Sequence, residues 1–273
     1  MKIKILGSGA AEGWPALFCA CDACKKAREL KGKNIRSRSS VLIDDLYMID
    51  FGHDNFMHWA ENDIDMTKIK DIFITHNHPD HFVYIELRML SKWFSNRFRE
   101  ERVTLHGNYE VIMKALEKPL YEDNKLYLHQ ISPFDKVKLD DGHVFTAIKA
   151  EHRPDCNIDL NYIVEYEGKT LAYLLDTKTY TDNVTWDFLA NYKFDALISE
   201  CTFWQDEKSE HHQTFKGVLE LKEKLKEIGA INEDTGFYLS HFSHNSGYLH
   251  DEMVEKAKPY NIQICYDGME IEV

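Results

Sequence analysis

The sequence lacks a long apolar run. No stretch approaches the roughly 20 apolar residues that cross a bilayer as a helix. Residues 1–6 alternate like a strand, without the longer apolar segment of a signal peptide. Internal repeats, low-complexity segments and Pro/Gly/Ser-rich linkers are also missing, so the 273 residues, 44% of them hydrophobic, predict one domain over residues 1–273. We expect a cytoplasmic protein with no membrane partner.

The chain also lacks an excess of basic residues. Its 33 Lys and Arg residues face 46 Asp and Glu residues, which gives a net charge of −13, and no Lys/Arg-rich insertion interrupts it. Because a nucleic-acid backbone requires clustered cationic side chains, we expect no nucleic-acid partner. Part of the acidity is expected to be ligand carboxylate, which bound cations would offset.

Strand-like and helix-like patterns alternate along the chain, as is typical of an α/β protein. Apolar and β-branched runs predict strands near 2–6, 40–49, 71–75, 102–105, 125–131, 136–150, 161–176, 194–199, 235–240 and 262–272. Amphipathic runs predict helices near 54–61, 81–95, 109–117, 184–191, 214–228 and 249–258. Between 125 and 176, four strand candidates follow one another, with a hairpin turn at 167–169. Such antiparallel stretches indicate two mixed sheets rather than one parallel sheet.

The densest cluster of candidate ligands is His76-Asn77-His78-Pro79-Asp80-His81. Three imidazoles and a carboxylate within six residues can serve two neighbouring divalent ions, His76 and His78 at one and Asp80 and His81 at the other. The preceding Ile-Phe-Ile-Thr at 72–75 predicts a buried strand, so the ligands would follow a rigid element. A histidine-rich solvent turn is the alternative, but the ligand density favours a metalloenzyme.

Three further candidate ligands follow apolar strand candidates in the same way. These are His152, Asp176 and His241. Each residue alone is more often a satisfied core or edge residue than a ligand. Four strand ends that each supply a ligand nevertheless favour a shared site, in which the carboxylate of Asp176 could bridge two ions.

Six cysteines without an export signal indicate a reducing compartment, where clustered cysteines bind metal more often than they form disulfides. The Cys-x-Cys-x-x-Cys run in the loop near 19–24 predicts three corners of a closed structural zinc site, at Cys19, Cys21 and Cys24. His244 is the best candidate for the fourth ligand. Redox-active thiols or small buried side chains are the alternatives. The remaining cysteines are expected to be small buried side chains: Cys156, Cys201 and Cys265.

The histidine motif resembles the metallo-β-lactamase superfamily, whose signature His-x-His-x-Asp-His is matched by residues 76–81. The later candidate ligands match that superfamily in order and spacing. The resemblance implies an αββα sandwich of two mixed β-sheets flanked by helices, with the site at one edge. It implies one ion at His76, His78 and His152, a second at Asp80, His81 and His241, and a bridge at Asp176. It also implies that Asp50 supports the ligand loop, although a turn Asp before Gly52 is the alternative.

With the cysteine loop, the chain resembles the phosphoribosyl 1,2-cyclic phosphate phosphodiesterases of phosphonate breakdown, the PhnP family. That family carries the same cysteine spacing and a histidine just after its last catalytic ligand, which matches His244. The match runs over the whole chain, including Tyr-Asp-Gly-Met-Glu-Ile at 266–271. The family also implies an assisting histidine before the helix at 214–228. His212 aligns better than His211, but Gln213 stands where the family has an Asp, and an exposed loop histidine is the alternative.

The resemblance implies a dinuclear phosphodiesterase that hydrolyses phosphoribosyl 1,2-cyclic phosphate or a related cyclic phosphate by attack of a metal-bridging hydroxide. The expected catalytic residues are Asp80, which is also a ligand, and His212. Imidazole and carboxylate ligands suit Mn, Zn or Fe at the catalytic pair, whereas three thiolates favour one structural Zn. The expected partner is a small phosphate ester, and a homodimer is an analogy with the family.

Three alternatives remain open at this point. A ribonuclease Z-like nuclease would share the ligands but should carry a basic docking surface, which the charge of −13 argues against. A thioester or lactone hydrolase would keep every ligand. A metal-stabilised binding protein without turnover is the third, because a fold does not guarantee a function.

Overall fold

The computed structural model describes residues 1–94, 101–117, 123–153, 157–205 and 211–273. Cys156 lies outside the described residues, as does position 95 of the helix predicted at 81–95. Two seven-stranded mixed β-sheets dominate the structure. This arrangement confirms the predicted α/β sandwich.

The first sheet has the order β14-β1-β2-β3-β4-β5-β6. Its strands are β1 (Lys2–Gly7), β2 (Ser40–Ile43), β3 (Tyr47–Ile49), β4 (Asp71–Phe73), β5 (Val103–Gly107), β6 (Leu126–Gln130) and β14 (Glu270–Glu272). Pairs from β14 to β3 are antiparallel, and pairs from β3 to β6 are parallel. The ligand loop therefore leaves the parallel part of this sheet.

The second sheet has the order β13-β12-β11-β10-β9-β8-β7. Its strands are β7 (Lys136–Lys138), β8 (Val144–Lys149), β9 (Leu160–Tyr166), β10 (Lys169–Leu174), β11 (Ala196–Glu200), β12 (Gly236–Ser240) and β13 (Gln263–Ile264). Strands β7 to β10 are antiparallel, and β10 to β13 are parallel. Residue Tyr166 pairs with Lys169, which confirms the hairpin predicted at 167–169.

The two sheets face each other across an apolar core. Period-two alternation places Phe73 in this core, while Ile72 and Ile74 point to the opposite face of the first sheet. The rings of Phe73 and Phe145 stack across the interface with centroids 3.9 Å apart. Complete burial of such side chains contributes roughly 2–3 kcal/mol each, so this core fixes the relative position of the sheets and of the loops at their edge.

Helices cover both outer faces. They are α1 (Asp22–Leu30), α2 (Asn55–Asn62), α3 (Tyr109–Leu116), α4 (Asn183–Leu189), α5 (Phe215–Glu227) and α6 (His250–Ala257). Helix α5 begins after Thr214, whose side chain accepts from Gly217 N, and buries Val218, Leu221 and Leu225. With α1, α4 and α6 it packs on the second sheet, and α3 packs on the first. None of the helices within the described ranges is long and apolar enough to cross a membrane.

Two predicted strands are interrupted by hairpins that the sequence patterns did not indicate. The strand predicted at 40–49 divides at Asp44 and Asp45, which have φ values of 48° and 58°. Aspartate tolerates this left-handed conformation, which a tight hairpin between twisted strands requires. The stretch 136–150 divides into β7 and β8 in the same way, with Gly142 at φ 101°. Hydrophobic alternation continues across such turns, which is why it predicts a single strand.

The prediction of a helix at 81–95 is wrong for residues 81–94, the part of this range that the structure describes. Short 3₁₀ turns at Tyr84–Met89 and Lys92–Phe94 replace it. Phe82 pairs with Phe51 in a β-bridge, and Val83 N donates to Phe51 O at 2.8 Å, so the backbone is extended where the helix was expected to begin. Tertiary pairing here overrides helical periodicity.

The cysteine segment contains a helix that was not predicted. Cys21 caps α1 by accepting from Cys24 N at 3.4 Å. The last cysteine of the cluster thus lies in the first turn of a helix rather than in an irregular loop. A helical turn brings residues three apart onto one face, which explains how the x-x spacing brings two thiols together.

Candidate functional site

Three residues at the ends of strands have left-handed backbone conformations. Asp50 follows β3 with φ 66°, Asp176 follows β10 with φ 46°, and His241 follows β12 with φ 59°. Such conformations are uncommon for residues other than glycine and persist where surrounding structure requires them. All three side chains are buried, at 3% exposure or less. The strand ends therefore turn sharply at one shared edge of the sandwich.

The first group of candidate ligands consists of three histidines. His76 Nε2 lies 2.9 Å from His78 Nδ1, and His152 Nε2 lies 3.3 Å from the same atom. Nitrogen ligands of one tetrahedral zinc ion stand about 3.3 Å apart, since each Zn–N bond is about 2.0–2.1 Å. Burial, and then His81, lower the pKa of His76 well below its ordinary value. His76 is thus held in the neutral form that binds a metal.

The second group consists of two histidines and two carboxylates. Its candidate ligand atoms all lie within 4.8 Å of one another, on Asp80, His81, Asp176 and His241. Asp176 links the members, with its oxygens 2.5 Å from His81 Nε2 and 3.1 Å from His241 Nε2. The same carboxylate reaches within 3.6 Å of His76 Nε2 in the first group. This geometry is compatible with a carboxylate shared by two ions.

Among the residues that the structure describes, three buried atoms of this group have no hydrogen-bond partner: His81 Nε2, His241 Nε2 and Asp176 Oδ1. Each of the two imidazole nitrogens instead faces an oxygen of Asp176 as an ion pair, His81 Nε2 at Oδ2 and His241 Nε2 at Oδ1. Leaving such groups unsatisfied in an apolar surrounding is costly, and a cation would satisfy all three. Burial opposes ionisation of Asp176, but His241 and His81 hold its pKa well below the usual range. The donor set therefore fits a divalent cation.

The ligand loop is braced by residues that do not themselves reach the centre. Asp50 Oδ2 lies 2.7 Å from His81 Nδ1, and Asp50 Oδ1 accepts from Thr75 N at 2.9 Å. A carboxylate behind a ligand histidine fixes its ring and tautomer. A Cβ on Gly52 would stand 2.0 Å from Asp80 O, so only glycine allows this approach of the β3 end to the ligand loop.

Glu200 was not predicted as a site residue. It ends β11, is completely buried, and accepts from Thr177 N at 2.6 Å and from Thr202 Oγ1 at 2.5 Å. Thr202 Oγ1 also lies 2.8 Å from His241 Nδ1. Glu200 therefore connects a residue adjacent to Asp176 with the ring of His241. An acidic residue after the apolar Ala-Leu-Ile-Ser run at 196–199 was the signal that could have identified it.

The structure places His212, rather than His211, against the second group. His212 Nδ1 lies 3.1 Å from Glu200 Oε2 and 3.3 Å from Asp176 Oδ1. Burial opposes protonation, but the carboxylates of Glu200 and Asp176 outweigh it and raise the pKa of His212 to about 11. His211 is exposed, and its carbonyl lies 3.5 Å from His152 Nδ1. No Asp directly follows His212 in the sequence, and Glu200, from a different strand, provides the carboxylate beside its ring.

The cysteine cluster closes on His244. The candidate ligand atoms of Cys19, Cys21, Cys24 and His244 lie within 4.8 Å of one another. His244 Nδ1 is 3.7 Å from Cys19 Sγ and 3.5 Å from Cys21 Sγ. Sulfur and nitrogen ligands of a tetrahedral zinc ion stand about 3.6 Å apart, so the spacing fits. Burial raises the pKa of the Cys21 thiol, but hydrogen bonds with the Cys24 N–H and His244 outweigh burial and lower this pKa to about 6.

A cleft of about 280 Å³ opens onto the two histidine groups. The cleft is lined by ligand candidates from both groups, by His212 and by the start of the turn at His244. A second cavity of about 320 Å³, lined mainly by apolar side chains such as Trp59 and Leu87, contains none of the candidate ligands. The polar cleft is thus the place where a substrate can meet the metal-ligating groups.

Comparisons with known proteins agree with this geometry. Residues 45–235 match the family described as “Beta-lactamase superfamily domain”, and no curated protein sequence matches the chain. A diphosphatase from the PhnP family has a TM-score of 0.78 at 23% identity, covering 100% of this chain and 97% of that chain. Zn²⁺-bound PqqB from Methylobacterium extorquens has a TM-score of 0.78 at 17% identity, covering 100% of both chains. The short form of human tRNase Z has a TM-score of 0.66 at 18% identity, covering 100% and 99%.

At these identities the solved structures establish the fold and not a substrate. The similarity to a PhnP-family structure agrees with the resemblance drawn from the motifs. The family match covers well over half of the sequence. The chain therefore belongs to the metallo-β-lactamase superfamily.

Proposed function

We propose that this protein is a metal-dependent phosphodiesterase that hydrolyses a cyclic phosphodiester, such as phosphoribosyl 1,2-cyclic phosphate or a related cyclic phosphate. The observation that carries the proposal is the single carboxylate of Asp176 between two candidate ligand groups, with His212 3.3 Å from it. A pair of cations beside a fixed proton donor suits displacement at phosphorus, where charge accumulates on several oxygens at once.

Two ions are proposed at the catalytic site. One would be held by His76, His78 and His152, the other by Asp80, His81 and His241, and Asp176 would contribute to both. When bound, divalent cations of this kind lower the pKa of water and stabilise negative charge on phosphoryl oxygens. Imidazole and carboxylate donors are compatible with Mn, Zn or Fe. The chain's own contribution is to hold these donors in a nearly closed, buried arrangement.

His212 is proposed as the proton donor to the departing ester oxygen. Glu200 holds its Nδ1 at 3.1 Å and favours the imidazolium form, which can donate to an alkoxide or bind a phosphoryl oxygen. The ring also lines the cleft with His78 and Asp80. A positively charged donor fixed beside the ligands stabilises the transition state without reorganisation.

A structural zinc ion is proposed at Cys19, Cys21, Cys24 and His244. Four protein donors leave no position for water, so this ion would stabilise structure and not take part in hydrolysis. The ion would connect the start of α1 to the turn at His244, which lies three residues after His241 in the chain. The catalytic edge would then depend on zinc for its rigidity.

A substrate panel tests the proposed reaction. Metal-loaded protein is assayed with cyclic phosphodiesters, bis(4-nitrophenyl) phosphate, a glutathione thioester and a homoserine lactone. We expect hydrolysis of the phosphodiesters and loss of that activity in Asp176→Ala. Preferential cleavage of the thioester or the lactone would reject the phosphodiesterase proposal, and no turnover with all ions bound would favour a binding protein.

A further inference from the structure

Glu12 contributes a carboxylate to the cleft although it belongs to neither group of catalytic ligand candidates. It lines the cleft together with His78 and His212, and its side chain is 31% exposed. Among the described lining residues, Glu12 is the one acidic residue outside the candidate ligand groups. Glu12 would therefore contact a part of the substrate other than the group bound by the proposed ions.

The carboxylate of Glu12 is held in position from one side. Its Oε1 accepts from Ser243 Oγ at 2.5 Å and lies 3.7 Å from His244 Nε2. Its Oε2 has no hydrogen-bond partner within the part of the chain that the structure describes. One oxygen is thus anchored, and the other can accept a hydrogen bond from a molecule in the cleft.

The backbone that carries Glu12 is fixed against the chain that carries His241. Ala10 N donates to Phe242 O at 3.0 Å, and Phe242 N donates to Ser8 O at 2.9 Å. Gly13 N closes a turn on Ala10 O at 2.8 Å. Glu12 thus occupies a braced turn between the catalytic edge and the zinc cluster, where its position is set before any ligand arrives.

The charge in the cleft is unusual for an enzyme that would bind a substrate with two phosphates. The described lining residues include no lysine and no arginine. Arg38 donates to Ala11 O at 3.1 Å, but its guanidinium pairs with Asp54 at 2.9 Å. Arg36 is buried and donates to Ser8 Oγ and Cys265 O. A phosphoryl group on the ions would be compensated, whereas a second phosphate beside Glu12 would meet a like charge.

We propose that Glu12 determines substrate specificity by accepting hydrogen bonds from hydroxyl groups of the substrate and by disfavouring a second phosphate. The substrate class is then a cyclic phosphodiester on an uncharged, hydroxyl-bearing sugar or polyol. This inference rests on the proposed phosphodiesterase function. Of the substrates named there, it favours a related cyclic phosphate without a phosphomonoester over phosphoribosyl 1,2-cyclic phosphate itself.

A matched pair of substrates tests the role of Glu12. Ribose 1,2-cyclic phosphate and 5-phosphoribosyl 1,2-cyclic phosphate share the reacting ring and differ in one phosphate. For the wild type we expect kcat/KM to favour the unphosphorylated compound by about tenfold or more. Glu12→Gln keeps the shape and removes the charge, so it should bring the two values within about threefold. Wild-type preference for the 5-phosphorylated compound would overturn the inference.

Controls separate charge from structure. The metal content of Glu12→Gln is measured by elemental analysis, because the residue adjoins the zinc ligand His244. Ser243→Ala removes the anchoring hydroxyl but retains the charge of Glu12, so the preference for the unphosphorylated compound should persist at a smaller ratio. A Glu12→Gln protein with full metal content and an unchanged substrate ratio would also overturn the inference.

Failure of the proposed function is recognised separately. If neither compound nor bis(4-nitrophenyl) phosphate is hydrolysed, the phosphodiesterase proposal fails. The specificity of Glu12 is then measured by equilibrium binding of the same pair to metal-loaded wild type and Glu12→Gln. Weaker binding of the phosphorylated compound that is relieved in the variant supports the role of Glu12, and equal affinities in both proteins reject it.

Discussion

At the scale of single residues, the candidate site depends on carboxylates that orient imidazoles. Asp50 stands behind His81, and Glu200 stands behind His212. Burial of these carboxylates at 0% exposure makes their hydrogen bonds strong and their removal costly. The same type of ring thus occurs in two settings, because His81 belongs to a ligand group, whereas His212 is the proposed proton donor.

Replacing His212 tests the proposed proton donor. We expect His212→Ala to lower kcat roughly 10²–10³-fold, because the donor to the leaving oxygen is lost while the ligands remain. Metal content should be unchanged. His211→Ala is the matched control, since that side chain is exposed, and it should retain near wild-type activity. Equal activity of His212→Ala and wild type would assign His212 to the surface of the loop.

His58 predicts a pH dependence of stability. Burial, only partly offset by Asp54, lowers the pKa of His58 to about 4, below the ordinary value of 6.5. The folded state therefore favours the neutral ring, and its stabilising contribution is complete above pH 6.5 and is lost as the pH falls towards 4. This contribution amounts to at most about 3 kcal/mol.

Urea denaturation of metal-loaded wild type and His58→Gln between pH 7.5 and 4.5 measures this effect. The variant cannot titrate at this position, so its stability deficit relative to wild type should shrink as the pH falls. His53→Gln, at an exposed histidine, should follow the wild-type curve. A deficit for His58→Gln that does not change with pH would contradict the assignment.

At the scale of elements, the cysteine cluster joins two segments that are distant in the chain. Cys21 caps α1, and His244 begins the 3₁₀ turn at His244–Ser246 after β12. This turn begins three residues after His241, so a zinc ion at the cluster would couple the order of α1 to that of the catalytic edge. The x-x spacing between Cys21 and Cys24 is a helical spacing, although the sequence suggested an irregular loop.

Cys21→Ser tests this coupling. We expect loss of one zinc ion and a fall in Tm of roughly 5–10 °C, because four-ligand zinc sites contribute folding free energy. The ions of the catalytic site should remain. Lys25→Ala, on the same helix and exposed, should change neither quantity. Retention of zinc with loss of the catalytic ions would show that the proposed division of ligands is wrong.

At the scale of the whole molecule, we predict about three metal ions per chain. Elemental analysis after gel filtration measures the total, and dialysis against a mild chelator separates the two kinds of site. The four-donor zinc should resist removal longer than the catalytic pair, because three thiolates and an imidazole leave no open position on the ion, whereas the catalytic pair opens onto the cleft. A total near one ion per chain would reject the arrangement of two catalytic ions and one structural ion.

Most strands and their division into two mixed sheets followed from local patterns. Alternating apolar residues predicted most strands, and the antiparallel stretch between 125 and 176 indicated two mixed sheets. The hairpin at Asp44 and Asp45 and the 3₁₀ turns after Val83 could not be predicted, because alternation and helical periodicity both continue across them. Backbone conformation at those points is decided by pairing with residues distant in the chain.

The superfamily and the candidate catalytic ligands could be identified from the sequence alone, because six consecutive residues and three strand ends carry those ligands. The tertiary structure decided which groups support them. Glu200 meets Asp176 and His241 because β10, β11 and β12 are parallel, with Leu174 beside Ser199 and Ser199 beside Leu239. Glu12 reaches the cleft because Ala10, two residues before it, pairs with Phe242. Such proximity depends on register between strands, which local sequence does not encode.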